Sequence, residues 1–167
     1  MRIRFSMIAI AISSLWIGLA GAVLAPASAT PPDRGTFSSH EVFDDSEVCA
    51  PEGFSVHVIQ DETNDFQVHY DRAGNQTFTA VHISYRAVIS ANGRTLVERD
   101  KWTDTFYADG SSRSVGLTVH VQGPHGIVQR DAGQLVFGPD GSVVAIHGRH
   151  PQFEGQTWCF ALVPWWG

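Results

Sequence analysis

The sequence predicts an all-β domain, a single antiparallel meander of about eight strands. Three observations lead there. Apolar residues recur with period two, turn pairs rich in glycine break the runs at short intervals, and the two cysteines, Cys49 and Cys159, bracket the whole set. No segment carries a helical period.

The elements follow in order. Val56 and Val58 alternate with Ser55 and His57, which places a strand near 53–60. Phe66, Val68 and Tyr70 alternate with Gln67 and His69, giving a second at 66–70, with a turn at 61–64 between them. Val81, Ile83 and Tyr85 mark a third within 76–90. Further strands are expected at 94–107, 112–121, 127–137, 142–147 and 157–163. The intervening clusters, among them Asn92-Gly93, Asp109-Gly110 and Asp140-Gly141, supply the positive φ angles of tight hairpins.

Cys49 lies just before the first of these strands and Cys159 in the last. A disulfide requires their α-carbons within roughly 7 Å, so the two ends of the meander must meet. That favours a closed up-and-down barrel of calycin-like shape, with a sandwich as the alternative. Two cysteines in an exported chain are read as one disulfide.

Export is inferred from the first 29 residues. Arg2 and Arg4 precede an uncharged apolar run from Met7 to Leu24, and Ala27-Ser28-Ala29 has the small-x-small form of a cleavage site. Cleavage near Ala29-Thr30 yields a secreted protein with no remaining membrane span; an uncleaved anchor is the rival reading. Residues 30–47, rich in Pro, Asp, Ser and Glu, are expected to form a flexible leader, or else to lie on the barrel through Phe37 and Phe43. Residues 48–167 then form the domain.

Of 11 basic and 17 acidic residues, only Arg2 and Arg4 fall in the signal, so the secreted chain carries a formal charge of −8 with neutral histidines. Its remaining basic residues are scattered, which argues against nucleic-acid binding. No cofactor motif is present, and no cofactor is expected.

Four segments resemble a group of small, signal-bearing secreted actinobacterial proteins that brings no known activity. They are Trp102-Thr103-Asp104-Thr105-Phe106, Asp131-Ala132-Gly133 with Phe137 and Gly141, Gly148-Arg149-His150, and the terminal cysteine. This chain departs at Cys49, which is followed by Ala50-Pro51-Glu52-Gly53-Phe54 where a compact Cys-Gly-Phe is expected. The shape is also similar to allene oxide cyclase-like barrels, which implies a fold and no function.

Candidate site residues come from the strand faces. Leu96, Glu98, Asp100, Trp102, Asp104 and Phe106 share one face of the fourth strand; a carboxylate buried beside Trp102 has its pKa raised, as a general acid requires. Trp102 and Asp104 are therefore ligand-binding candidates; Asp131 is a further candidate, and the bulge expected at Gly133 makes a hydrogen-bonded bulge or turn residue its plainer reading. Arg149 and His150 are candidates for holding an anionic group. His57 and His69 become cross-strand neighbours if the chain turns at 62–64, and two imidazoles at that spacing can share a metal; exposed surface histidines are the plainer reading. Trp165 and Trp166 are expected to pack against the barrel.

The leading expectation is a secreted barrel that binds a small apolar molecule or acts as an extracellular interaction module. The alternatives are a cofactor-free isomerase or cyclase using a lumen carboxylate or histidine, and a structural protein of the cell envelope. A hollow interior at Trp102 separates the first and the enzymatic readings from a filled structural core.

Overall fold

The computed structural model describes residues 31–164. The signal segment at 1–29 and the Trp165-Trp166 tail lie outside the described residues. The fold is all-β: seven antiparallel strands form one sheet in the order β1-β2-β3-β4-β5-β6-β7. They are β1 (Asp33–Asp45), β2 (Val56–Tyr70), β3 (Gln76–Ala91), β4 (Arg94–Tyr107), β5 (Ser112–Gly123), β6 (Gly126–Phe137) and β7 (Val143–Arg149). Short 3-10 turns follow at Ala50–Glu52, Pro151–Glu154 and Trp158–Leu162.

The hairpins obey the local chemistry of their turns. At Asn92-Gly93 both residues have positive φ, 53° and 74°, as a two-residue turn that follows the strand twist requires. Asp71, Asp109 and Asp140 each accept a backbone N–H two residues ahead and so close the other tight turns.

The sheet does not close into a barrel. β1 and β7 are its two edges and do not pair with each other. The disulfide is present, with α-carbons 5.6 Å apart, but it does not join strand to strand. Cys49 precedes the 3-10 turn between β1 and β2, and Cys159 sits in the turn Trp158–Leu162, where a strand at 157–163 was expected. Cys159 and Leu162, both fully buried, are three residues apart; this is the repeat of a 3-10 helix and places both on one side. The bond therefore fastens a returning C-terminal segment over one end of the sheet.

That end holds the core. Cys49, Val56, Val58, Ala87, Ile89, Leu96, Val121, Cys159 and Leu162 form one buried cluster. Alternate residues of β2, β3, β4 and β5 supply the sheet's share, which defines an inner face. His57 and His82 stand exposed on the outer face, and the less exposed His69 shares it, as the alternation predicts.

Two further expectations are corrected. Residues 33–45 of the expected flexible leader are strand β1, held by a polar ladder on the outer face. Ser38 and Thr63 share a hydroxyl hydrogen bond at 3.0 Å, His40 bonds Asp61 at 2.7 Å, and Asp44 bonds His57 at 2.8 Å. The turn expected at 61–64 does not form, because those residues pair with both neighbours, Asp61 with His40 and Arg86, and Asn64 with Phe37 and Ile83. β2 is one unbroken strand.

Gly133 marks a close approach of two backbones, and not a bulge in its own pairing. It stands opposite Gly148, and a Cβ at Gly133 would lie 2.0 Å from the carbonyl oxygen of His147. In the pairings of β6 the register shifts between Leu117 and Val119, opposite Ala132 and Asp131, between Val121 and Gln122 on β5, and between Val136 and Phe137 on β6 itself.

Candidate functional site

Above the apolar core, the inner face becomes acidic. Glu98 and Asp100 follow Leu96 on β4, and Asp131 comes from β6; they are 9%, 4% and 1% exposed. Burial, then the charge of Asp100 and a hydrogen bond to it, push the Glu98 carboxyl up to about 9. Asp100 rises to about 6, again chiefly through burial, although hydrogen bonds from Glu98 and the backbone N–H of His120 oppose the rise. Glu98 thus stays protonated at neutral pH and donates to the Asp100 carboxylate. Tyr85, opposite Asp100 on β3, has its phenol pushed upward by burial and by the same carboxylates, and it donates to Gln60 Oε1 at 2.9 Å.

Asp131 is satisfied from two directions. Gln129 Nε2 donates to one oxygen at 3.1 Å, and the backbone N–H of Gln152 donates to the other at 3.0 Å. Asp131 therefore fastens the turn after β7 to β6. His150 follows β7 and caps the 3-10 turn Pro151–Glu154; it is 4% exposed, with Nε2 3.3 Å from the carbonyl oxygen of His147, Nδ1 without a hydrogen-bond partner, and its ring edge-on to Phe153.

Trp102 and Asp104 form a second pair farther along β4. Trp102 Nε1 donates to Asp104 at 3.1 Å and Ser114 donates to the other oxygen. Burial raises the Asp104 pKa and these two bonds oppose it. Trp102, Asp104, Asp131 and His150 line neither the groove of about 410 Å³ formed beside Tyr85, Arg86, Arg99, Asp100 and Lys101 nor the cavity of about 160 Å³ beside Arg149. The ligand-binding candidates thus separate into an interior hydrogen-bonded set and Arg149, which alone faces a cavity.

The alternative reading of His57 and His69 as a metal pair is not met. His57 and His69 lie near opposite ends of β2, roughly 40 Å apart at the rise of an extended strand, so they cannot share an ion. His57 is bonded to Asp44, and the His69 ring stacks on Phe78 at 4.2 Å. Among the described residues, one group of ligand-type side chains gathers, Cys49, Cys159 and Glu52, and its two sulfurs are bonded to each other.

No family model, curated protein or solved structure matches this chain. Its own geometry carries the functional reading.

The open feature of that geometry is β1. It is 13 residues long, paired on one side only, and exposed along most of its length. Its inner face presents Phe37 and Phe43, 48% and 38% exposed, and its outer face presents Val42 at 54%. Sequence reading noted Phe37 and Phe43 but not the strand, because the polar partners of its other residues hide the apolar period. Tyr85 and Gln129 were also missed; their burial depends on strands far away in sequence.

Proposed function

We propose that this protein is an exported interaction module that binds an extended polypeptide segment by adding it as a strand to the free edge of β1. The single observation that carries the reading is the length and exposure of that edge. A 13-residue edge strand offers a row of backbone hydrogen-bonding groups on its unpaired side, and long apolar edges attract further strands unless they are covered. Phe37 and Phe43 on one face and Val42 on the other give alternate side-chain contacts for such a segment. Backbone pairing of this kind singles out a polypeptide over a small apolar molecule.

The signal-like N-terminus and the disulfide support placement outside the cytoplasm. No described helix is long and apolar enough to cross a membrane. Burial of Glu98 and Asp131, which line neither cavity, supports a structural use of these two carboxylates over an isomerase-like one, since a general acid must reach its substrate.

Photocrosslinking tests the reading. With p-benzoylphenylalanine placed at Phe37 or Phe43, the protein incubated in its own culture medium should yield a discrete crosslinked species. The same group at Tyr107, on the outer face of β4, should not. Equal crosslinking from all three positions, or none from any, would rule out the β1 edge as the docking site.

A further inference from the structure

Basic residues that are scattered in the sequence gather on one face of the sheet. Within β3–β7 the carboxylates Glu98, Asp100 and Asp104 of β4 and Asp131 of β6 take inner-face positions, whereas Arg86, Arg99, Lys101, Arg113, Arg130 and Arg149 take outer-face ones and are exposed. No strand residue of β3–β7 brings a carboxylate to the outer face.

Register aligns four of these bases in a row across the strands. Arg86 on β3 stands directly opposite Arg99 on β4. Arg99 Nη1 donates to Gln122 Oε1 on β5 at 3.3 Å, and Gln122 Nε2 lies 3.2 Å from Nε2 of His120 on the same strand. His120 stands opposite Arg130 on β6, and Arg130 shares the cavity of about 160 Å³ with Arg149 of β7. Four steps of about 4.8 Å between neighbouring strands give the row a length of about 19 Å. At its other end Arg86 and Arg99 line the groove of about 410 Å³, joined by Lys101. None of these bases has a carboxylate at ion-pair distance among the described residues. The two carboxylates that border the groove are engaged elsewhere: Asp61 bonds His40 at 2.7 Å, and Asp100, 4% exposed, accepts the backbone N–H of His120. Like charges directly opposite each other destabilise a sheet, so an anion laid over the row relieves repulsion that the free protein carries.

We infer that this outer face binds a linear anionic glycan laid across the strands, with its acidic groups on Arg86, Arg99, Arg130 and Arg149. Charge complementarity selects a polyanion, and guanidinium groups pair with carboxylates and other oxyanions through charge-assisted hydrogen bonds. The neutral groups beside the bases are hydroxyls and an amide, Thr63, Ser84 and Gln122, which suit a chain rich in hydroxyls. An extended acidic peptide fits less well, because its same-face carboxylates recur about every 6.7 Å, out of step with the strands. Single-stranded nucleic acid needs a series of aromatic platforms, whereas the exposed ring that borders the row, Phe160, lies at one end of it. The face is separate from the free edge of β1, and either reading stands if the other fails.

The test is a calorimetric titration of the purified protein at low ionic strength with oligogalacturonate, dextran sulfate and neutral dextran, and with poly-L-glutamate and oligothymidylate as competing polyanions. An anionic glycan should saturate the site and bind about tenfold more tightly than either competitor, and neutral dextran should not bind. That affinity should vanish at about 1 M salt, where the screening length falls to about 3 Å. Whether the carboxylated or the sulfated chain is the tighter identifies the acidic group. Arg99→Gln and Arg130→Gln should each weaken binding about tenfold without moving the melting temperature, since both side chains are exposed. Arg113→Gln, on the same face but away from the row, opposite Thr105 and Val136, should leave the affinity unchanged. Failure of both anionic glycans to saturate, a competitor or neutral dextran that binds as tightly as the better glycan, unchanged affinity in both row variants, or an equal loss from Arg113→Gln would overturn the inference.

Discussion

Glu98 donates a hydrogen bond to Asp100 two residues farther along β4, and both side chains are buried under the same face of the sheet. One proton is thus part of the folded structure at neutral pH. The two carboxyls are held at this spacing because alternate residues of a strand share a face.

The consequence for stability has a definite sign. The folded-state pKa of Glu98 lies near 9, above its ordinary value of 4.5, so the native state keeps a proton that the unfolded chain releases. Stability therefore declines as pH rises between those values, and Asp100, raised from 3.8 to about 6, adds to the decline at the acid end. Denaturant titrations at pH 5, 6.5 and 8 should show the protein most stable at pH 5. Glu98→Gln, which keeps a donor toward Asp100 without the charge, should flatten the slope and add about 2 kcal/mol at pH 8. A wild-type stability that rises from pH 5 to 8 would contradict the protonated pair.

Reduction of Cys49–Cys159 releases the C-terminal turn from the β1–β2 connection. The chain-entropy model assigns about 4–5 kcal/mol to closing a loop of this length, near the upper end of what disulfides contribute. Calorimetry should show a melting temperature lower by roughly 10–20 °C, with strand content by circular dichroism below the transition largely retained, because no strand pair is made through the bond. Leu162→Ala in the oxidised protein should cost about 2–5 kcal/mol, since its side chain is fully buried in the same cluster.

The approach of β6 to β7 at Gly133 leaves no room for a side chain. Gly133→Ala would place a methyl 2.0 Å from the His147 oxygen at a φ of 148°, so one of the two strands must move. The expected loss is about 3 kcal/mol or more, read as a lower denaturation midpoint. Gly141→Ala, at a turn where nothing lies within 4 Å, should cost less, about 1 kcal/mol from its φ of 77° alone.

Much of this fold is legible in the sequence, and the failures have physical causes. The hairpins at Asn92-Gly93, Asp109-Gly110 and Asp140-Gly141 are local, and each lies where its dipeptide predicts. β1 escaped notice because Ser38, His40 and Asp44 are stabilised by polar partners on β2, and a polar ladder leaves no hydrophobic period. The polar run at 61–64 resembles a turn for the same reason, although Asn64 is buried between two strands. Closure was inferred from Cys49 and Cys159, but a disulfide reports that two segments touch and not that they are strands. In the interior, the mixed face of β4 was visible from its alternation, whereas the seats of Asp131 and His150 depend on the turn after β7. The pairing of β6 with β7, and the point where it stops, cannot be read from either strand alone.

Hydrogen exchange across β1 tests the proposed docking most directly. Amides of residues 33–45 that face away from β2 should exchange rapidly in the purified protein and become protected in its own culture medium, while those of the second edge strand, β7, keep their rates. Unchanged exchange at residues 33–45 in the medium, or equal protection at both edges, would contradict strand addition at β1.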